Sequence, residues 1–190
     1  MDGRVCPHDA HMDTETTTRF PAHTPETASG RAAELLAELW NRHEGALGSM
    51  VRTMAGSPAL LSGYLDLSRA MKRSKLSRTD AERVSIAVQA LLGCRTCLDA
   101  HIAAGRDAGL DDTDVQLAQL GTAIATKSAE LIDYALAVHE NPASIDSDTL
   151  TSLRSHGYSD RELLDVIGLV TLNHLTGAVN LVAGLHTEES

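Results

Sequence analysis

The residues best suited to chemistry in this chain of 190 residues lie close together, at Cys94, Cys97 and His101. Two residues separate the cysteines, and the histidine follows the second cysteine by four positions. If a helix begins at Cys94, steps of three and four residues put all three side chains on one face. The free N–H groups and the dipole of that helix N-terminus would favour a thiolate. The spacing therefore predicts a dithiol with a neighbouring base.

Three interpretations of Cys94 and Cys97 compete. A redox dithiol needs two sulfurs that can form a disulfide, one of them activated, and the spacing meets both needs. A zinc site could use both cysteines and His101, but it needs a fourth ligand, and the chain has no second C-x-x-C pair. The cysteines could also be two small buried side chains one helical turn apart. We favour the redox dithiol and predict neither a metal nor a cofactor.

Glu82 is a candidate partner for His101. It lies on an apolar helical run that ends at Gly93. If the chain turns at Gly93 and the next helix folds back, His101 would lie between Glu82 and Cys97, because residues equidistant from the turn face each other. Alone, Glu82 could be a carboxylate favoured by a helix dipole, and His101 a hydrogen-bonded histidine. Beside the cysteine pair, we favour a proton relay that runs from Glu82 through His101 to Cys97.

The elements that would position these residues are helices. Aromatic residues make up only 3% of the chain, so its core must be built from aliphatic side chains, which suits closely packed helices. We find no convincing strand and predict an all-α bundle of about eight helices. They lie near residues 31–43, 58–73, 78–93, 128–139 and 147–155, with others starting after Cys94, Asp111 and Ser159.

The composition limits the domains, partners and location of the protein. Residues 1–29 lack apolar periodicity and are predicted to be a flexible arm. Cys6, His8 and His11 in this arm are weak candidates for metal ligands. Residues 30–190 are predicted to form one domain. The net charge of −10 argues against nucleic acid and anionic membranes as partners. Three cysteines and no signal-peptide core indicate a cytoplasmic protein. Residues 166–185 carry no charge but hold several polar groups, which favours a buried core or interface helix.

The chain resembles a known family in the order Glu82, eleven residues, Cys94-x-x-Cys97, three residues and His101. This order is similar to the signature of the alkylhydroperoxidase D branch of the carboxymuconolactone decarboxylase-like family. The likeness extends from about Thr17 to Gly184 and includes RTMAGSPALLSGYLDLSRAMKR and HGYSDRELLDVIGLV. It implies an all-helical fold, a homo-oligomer (trimer or hexamer) and thiol-dependent peroxidase activity in antioxidant defence.

The resemblance also implies roles for the four site residues. Cys97 would be the peroxidatic cysteine and Cys94 the resolving one, with Glu82 and His101 as the proton relay. The substrate would be a hydroperoxide, and a lipoyl or thioredoxin-like protein would supply electrons, at a Cys94 expected to be the more exposed sulfur. Thr96 stands where the best-studied branch carries a histidine. The alternative is a non-peroxidase thiol-disulfide protein or sensor on the same helical oligomer.

Overall fold

The computed structural model describes residues 18–185, which form nine α-helices and one short 3₁₀ turn. No strand occurs within this range, so the predicted all-α fold is confirmed. Cys6, His8 and His11 lie outside the described residues. The helices are α1 (Gly30–Arg42), α2 (Ser49–Met54), α3 (Pro58–Met71), α4 (Arg78–Leu92), α5 (Arg95–Ala108), α6 (Asp112–Gln119), α7 (Thr126–Glu140), α8 (Ser147–Ser155) and α9 (Asp160–Ala183), with the 3₁₀ turn at Pro142–Ser144.

Local capping signals set where several helices begin. Ser77, Asp111 and Ser159 each accept a hydrogen bond from the backbone N–H three residues further on, at the starts of α4, α6 and α9. Glu162 returns the interaction by accepting from the Ser159 backbone N–H at 2.8 Å, which completes a capping box. These contacts are local in the chain, and therefore the sequence pattern could locate the helix starts.

The helix α2 is absent from the sequence-based prediction. It has only six residues and follows the glycine-containing segment 45–48, so it offers too little length for a helical period to emerge. Its Met54 is almost fully buried against residues of α1 and α3 such as Leu36 and Leu61. Tertiary packing therefore stabilises a helix that would be marginal alone.

Helix α4 lies at the centre of the bundle and packs against α5, α6, α7 and α9. Val84 and Val88 belong to the core cluster shared with α7, α8 and α9, whereas Ile86 belongs to a second cluster with residues of α5 and α6. All three side chains are fully buried. Because neighbours hold α4 on several sides, side chains near its C-terminal end have a rigid support.

Residues 18–29 run along α2 and α9 before α1 begins. The Arg19 N–H donates to the Ala183 carbonyl at 2.9 Å, and the His23 N–H donates to the Arg52 carbonyl at 3.0 Å. The Arg52 side chain returns a bond from Nε to the His23 carbonyl at 3.1 Å. The domain boundary at residue 29 and the flexibility of the arm stay predictions.

Helix α9 is long and apolar enough, by length and composition, to cross a bilayer. In the fold it packs against α2, α3, α4 and α7, and the side chains of Asn173 and Asn180 are buried on its inner face. Core helices have the same length and composition, so this property alone does not indicate a membrane protein. The buried asparagines agree with the predicted core or interface helix.

The ring of His139 on α7 packs against the ring of His174 on α9, with centroids 5.1 Å apart. Burial, and to a lesser extent the nearby His174, lowers the pKa of His139 below its ordinary value of 6.5. The unfolded chain then takes up a proton more readily than the folded one between these two pKa values, so acid favours unfolding there. We expect the free energy of unfolding to fall as the pH drops below about 6.5. Chemical denaturation at several pH values measures this, and an equally steep fall in His139→Asn would contradict it.

Candidate active site

The turn between α4 and α5 is built on Gly93, which has a φ of +76° in the left-handed region. The N–H groups of Gly93 and Cys94 both donate to the Gln89 carbonyl, at 3.0 and 3.2 Å. A side chain at Gly93 would strain this backbone conformation. The short turn makes Cys94 the N-cap of α5, as the sequence predicts, and folds α5 back along α4.

Cys94 and Cys97 are joined by a disulfide, with their Cα atoms 5.4 Å apart. This separation is typical of disulfides and is provided by one turn of α5. Both residues are buried, with 2% of Cys94 and 7% of Cys97 exposed. The expectation that Cys94 is the more exposed of the two is therefore wrong, because the fold buries both residues and leaves less of Cys94 exposed.

Glu82 and His101 form a hydrogen-bonded pair beside the dithiol. His101 Nδ1 and Glu82 Oε2 are 2.8 Å apart, and 30% of the His101 side chain and 17% of the Glu82 side chain are exposed. Because an ionised carboxylate can only accept, Nδ1–H donates and Nε2 is left to take up or release a proton. The predicted meeting of these two side chains across the α4–α5 hairpin is thus observed.

The hairpin leaves a gap in the predicted relay. His101 follows Cys97 by one helical turn on the same face of α5. Within residues 18–185, no hydrogen bond joins His101 to either sulfur; His101 bonds to Glu82 instead. Proton transfer between His101 and Cys97 would need a bridging water or a small movement of a side chain. The roles of Glu82, Cys94, Cys97 and His101 in a reaction therefore stay predictions.

Asn180 on α9 is part of the site, and the sequence-based reasoning assigned it no role there. Its Nδ2 lies 3.1 Å from Cys97 Sγ and 4.0 Å from Cys94 Sγ. The available signal was a polar residue in an apolar helix, and Asn173 and His174 carry the same signal. The structure separates the three, since Asn173 bonds to Gln89 and Ser85 while His174 packs on His139. Only tertiary contacts distinguish Asn180.

Little in the site suits a metal. Among residues 18–185, no group of three or more His, Cys, Asp or Glu side chains is arranged to hold one. The two sulfurs bond to each other and His101 bonds to Glu82, so the set considered for zinc offers no thiolate in this state.

Thr96, at the position where the resembling branch has histidine, donates from Oγ1 to the Leu185 carbonyl at 3.4 Å.

An apolar cavity of about 590 Å³ lies away from the dithiol, between residues 20–23, α2, α3 and α9. Phe20, Met54, Leu60 and Val179 are among the residues that line it. Neither cysteine contributes to its wall. The cavity and the disulfide are therefore separate features of the fold.

A known family matches the part of the chain that contains the site. The family model described as the carboxymuconolactone decarboxylase family matches residues 58–141, which contain Glu82, both cysteines of the pair and His101. A comparison with curated proteins found no match. The matched segment ends before Asn180.

Solved structures share the fold. An uncharacterized peroxidase-related protein from Ralstonia eutropha JMP134, described as an alkylhydroperoxidase AhpD core, has a TM-score of 0.74 at 18% identity, covering 91% of this chain and 93% of its own. An uncharacterized peroxidase-related protein from Silicibacter sp. TM1040 has a TM-score of 0.73 at 19% identity, covering 95% and 96%. A protein of unknown function from Agrobacterium tumefaciens has a TM-score of 0.60 at 18% identity, covering 71% and 94%. The segment 58–141 therefore belongs to the carboxymuconolactone decarboxylase family, and the chain that contains it has an alkylhydroperoxidase D-like fold, which confirms the resemblance drawn from the sequence.

Proposed function

We propose that this protein is a thiol-dependent peroxidase that reduces hydroperoxides through Cys97 and Cys94. The observation that supports this most strongly is the disulfide between these residues beside the hydrogen-bonded Glu82–His101 pair. A sulfur that is oxidised by peroxide needs a second thiol within reach and a group that can handle protons. Both are available within one helical hairpin.

The proposed reaction begins with the reduced pair. The Cys97 thiolate attacks the distal oxygen of ROOH, the O–O bond breaks, and Cys97 becomes a sulfenic acid while an alkoxide leaves. His101, held by Glu82, takes the thiol proton from Cys97 through a bridging water or after a small side-chain movement, and returns it to the alkoxide, giving ROH. The Cys94 thiol then attacks the sulfenic sulfur, which forms the disulfide and releases water. One two-electron reduction of the peroxide thus oxidises one dithiol.

A dithiol donor must restore the reduced pair. Two thiol–disulfide exchanges transfer two electrons and two protons from the donor, which leaves as its own disulfide. A lipoyl or thioredoxin-like protein has this chemistry, and a cytoplasmic location would supply it. Both cysteines are buried even without a second copy of the chain. Thiol–disulfide exchange at Cys94 therefore requires the α4–α5 turn to open.

The assembly proposed for this function is a homo-oligomer, a trimer or hexamer. The outer side of α9 presents Leu164, Ile167 and Val182, which are 68%, 41% and 56% exposed. Large exposed apolar side chains aligned on one helix are typical of an interaction surface. A second copy of the chain would cover them.

Mass spectrometry of the reduced protein after one equivalent of peroxide tests the proposed function. In the wild type we expect the loss of two hydrogens between Cys94 and Cys97, because the sulfenic acid is resolved to a disulfide. In Cys94→Ser we expect an added oxygen at Cys97, trapped by dimedone. Unmodified Cys97 in both proteins would refute the function.

A thiol-disulfide protein or sensor without efficient peroxidase activity is the second candidate. Thr96 favours it, since this position lacks the imidazole that the best-studied branch carries. Repeated turnover with excess dithiol and peroxide separates the candidates. A sensor would oxidise once and then consume peroxide slowly.

A further inference from the structure

We propose that Asn180 is a further catalytic residue, whose side-chain N–H stabilises the thiolate of Cys97 in preference to that of Cys94. The inference rests on the proposed redox function of the cysteine pair and adds the group that selects the attacking sulfur. Asn180 lies on α9, 83 positions from Cys97 in the sequence and outside the segment that matches the family.

The distances from the amide nitrogen distinguish the two sulfurs. Asn180 Nδ2 is 3.1 Å from Cys97 Sγ, a hydrogen-bond distance for sulfur, but 4.0 Å from Cys94 Sγ, at the limit of contact. Only 7% of Asn180 is exposed, so water competes little for its donor. Of the two contacts that Asn180 makes with the cysteine pair, the one to Cys97 is the shorter.

The acceptor in this bond changes its strength with the redox state. A disulfide sulfur is a weak acceptor, whereas a thiolate carries a full negative charge and makes a charge-assisted hydrogen bond. A buried amide donor next to the sulfur therefore stabilises the reduced, ionised pair more than the disulfide. The effect falls on Cys97, the nearer sulfur, and lowers the pKa of its thiol.

The fold holds Asn180 in register with the cysteines through Gln89. The backbone carbonyl of Gln89 accepts the N–H groups of the α4–α5 turn. The side-chain Nε2 of Gln89 donates to the backbone carbonyl and to Oδ1 of Asn173, both at 2.9 Å. Between Asn173 and Asn180, a Cβ at Gly177 would collide with the side chains of Leu92 and Gln89. Because Gly177 has no side chain, α9 can approach α4 closely. Gln89 thus contacts both the α4–α5 turn and α9, and it fixes the position of one relative to the other.

The contact of Asn180 with Cys94 is weaker, because Nδ2 lies 4.0 Å from Cys94 Sγ. Cys94 is the N-cap of α5, yet its side chain accepts no capping hydrogen bond. With Asn180 nearer to Cys97, the reduced pair carries its negative charge on Cys97, and Cys94 keeps its proton until it attacks the sulfenic acid. This assignment agrees with the order of attack in the proposed function.

Alkylation by iodoacetamide across a range of pH, in single-cysteine backgrounds, tests the inference. In Cys94→Ser, the added change Asn180→Leu should raise the pH midpoint of Cys97 alkylation by about one unit, since it removes a hydrogen bond to a charged group. Asn180→Asp should raise it further, because it places a carboxylate beside the thiolate. In Cys97→Ser, the same changes should move the midpoint of Cys94 by clearly less. Asn41→Leu, which replaces an exposed asparagine of α1, serves as the control and should move neither.

Equal shifts for both cysteines would mean that Asn180 acts only on the general packing, and no shift for Cys97 would remove the role altogether. Either result overturns the inference. If both Asn180 variants fail to fold, ¹⁵N-asparagine labelling of the reduced wild type keeps it testable, as the chain has only four asparagines. One buried side-chain amide should then titrate with the midpoint of Cys97, and its failure to do so refutes the role.

These measurements use no peroxide, so they are independent of the reaction proposed above. A selective shift at Cys97 in a protein that does not consume peroxide would sustain the role of Asn180 and refute the peroxidase. Peroxide turnover that is unaffected by Asn180→Leu, with no change in the alkylation midpoint, would refute the role of Asn180 and sustain the peroxidase.

Discussion

Replacement of Cys97 by serine is expected to slow peroxide reduction by at least about a thousandfold, because a serine hydroxyl is scarcely ionised near neutral pH and cannot form a sulfenic acid. The Asn180 donor, at 3.1 Å from the sulfur, would remain in place, so the loss would come from the nucleophile itself. The measurement is the disappearance of peroxide with an excess of dithiol, for the wild type and the variant at equal concentration.

Two further variants make the result specific. Cys94→Ser should react with one equivalent of peroxide at close to the rate of the wild type and then turn over slowly, because the resolving thiol is missing. Glu82→Gln should slow the reaction by about ten- to a hundredfold, since it weakens the proton relay but keeps both sulfurs. Glu34→Gln, an exposed carboxylate of α1, should have no effect. A Cys97→Ser protein that still reacts once with peroxide, beside an unreactive Cys94→Ser, would reverse the roles of the two cysteines.

Replacement of Asp80 by alanine is expected to lower the free energy of unfolding by about 3 kcal/mol. Asp80 Oδ1 accepts from Ser128 Oγ at 3.2 Å and from Arg83 Nη1 at 3.3 Å, and Oδ2 accepts from Tyr158 OH at 3.3 Å. Burial, followed by the charge of Asp80, raises the pKa of Tyr158, so its hydroxyl stays protonated and can donate. Alanine would leave a largely buried guanidinium and two hydroxyls without this acceptor.

A matched pair on α3 provides the control for Asp80. Asp66 and Arg69 are also three residues apart, but their side chains are 69% and 63% exposed, against 12% and 17% for Asp80 and Arg83. Asp66→Ala should cost less than about 1 kcal/mol, because solvent screens exposed ion pairs. Urea denaturation of both variants measures the difference. Equal losses would show that burial of the Asp80 network adds nothing to stability.

The Asp80 network lies on the same helix as Glu82. Asp80 lies in the first turn of α4, and its partners lie on α7 and in the connection before α9. The network thus ties the start of α4 to the elements that surround it, while Glu82 follows two residues later. We expect Asp80→Ala to weaken the Glu82–His101 contact as well as the fold.

Much of the site could be predicted from the sequence because its contacts are local. The step of three residues from Cys94 to Cys97, after the glycine at position 93, puts both cysteines on one face at a helix start, and this local spacing allows the disulfide that the structure shows. Glu82 and His101 are 19 residues apart, yet they lie on adjacent helices joined by a short turn, so the geometry of one hairpin brings them together. Capping residues located the starts of α4, α6 and α9 for the same reason.

Other features depended on packing between distant parts of the chain. The six residues of α2 are helical because Met54 is buried between α1 and α3. The sequence of α2 is too short to show the helical periodicity that would predict it. The exposure of the two cysteines was predicted in the wrong order, because it depends on how the surrounding helices pack against the α4–α5 turn.

The sequence by itself therefore determined the all-α class, the dithiol on one face of a helix, and the carboxylate–imidazole pair beside it, since each follows from helical periodicity and one tight turn. Only the tertiary structure decided which of the polar groups of α9 meets the sulfurs. Asn173, His174 and Asn180 are alike as polar residues in an apolar helix, and their partners at Ser85, His139 and Cys97 are set by how α9 docks on α4 and α7. Docking depends on the complementarity of whole surfaces, such as the close approach at Gly177, and this information is spread over residues far apart in the chain.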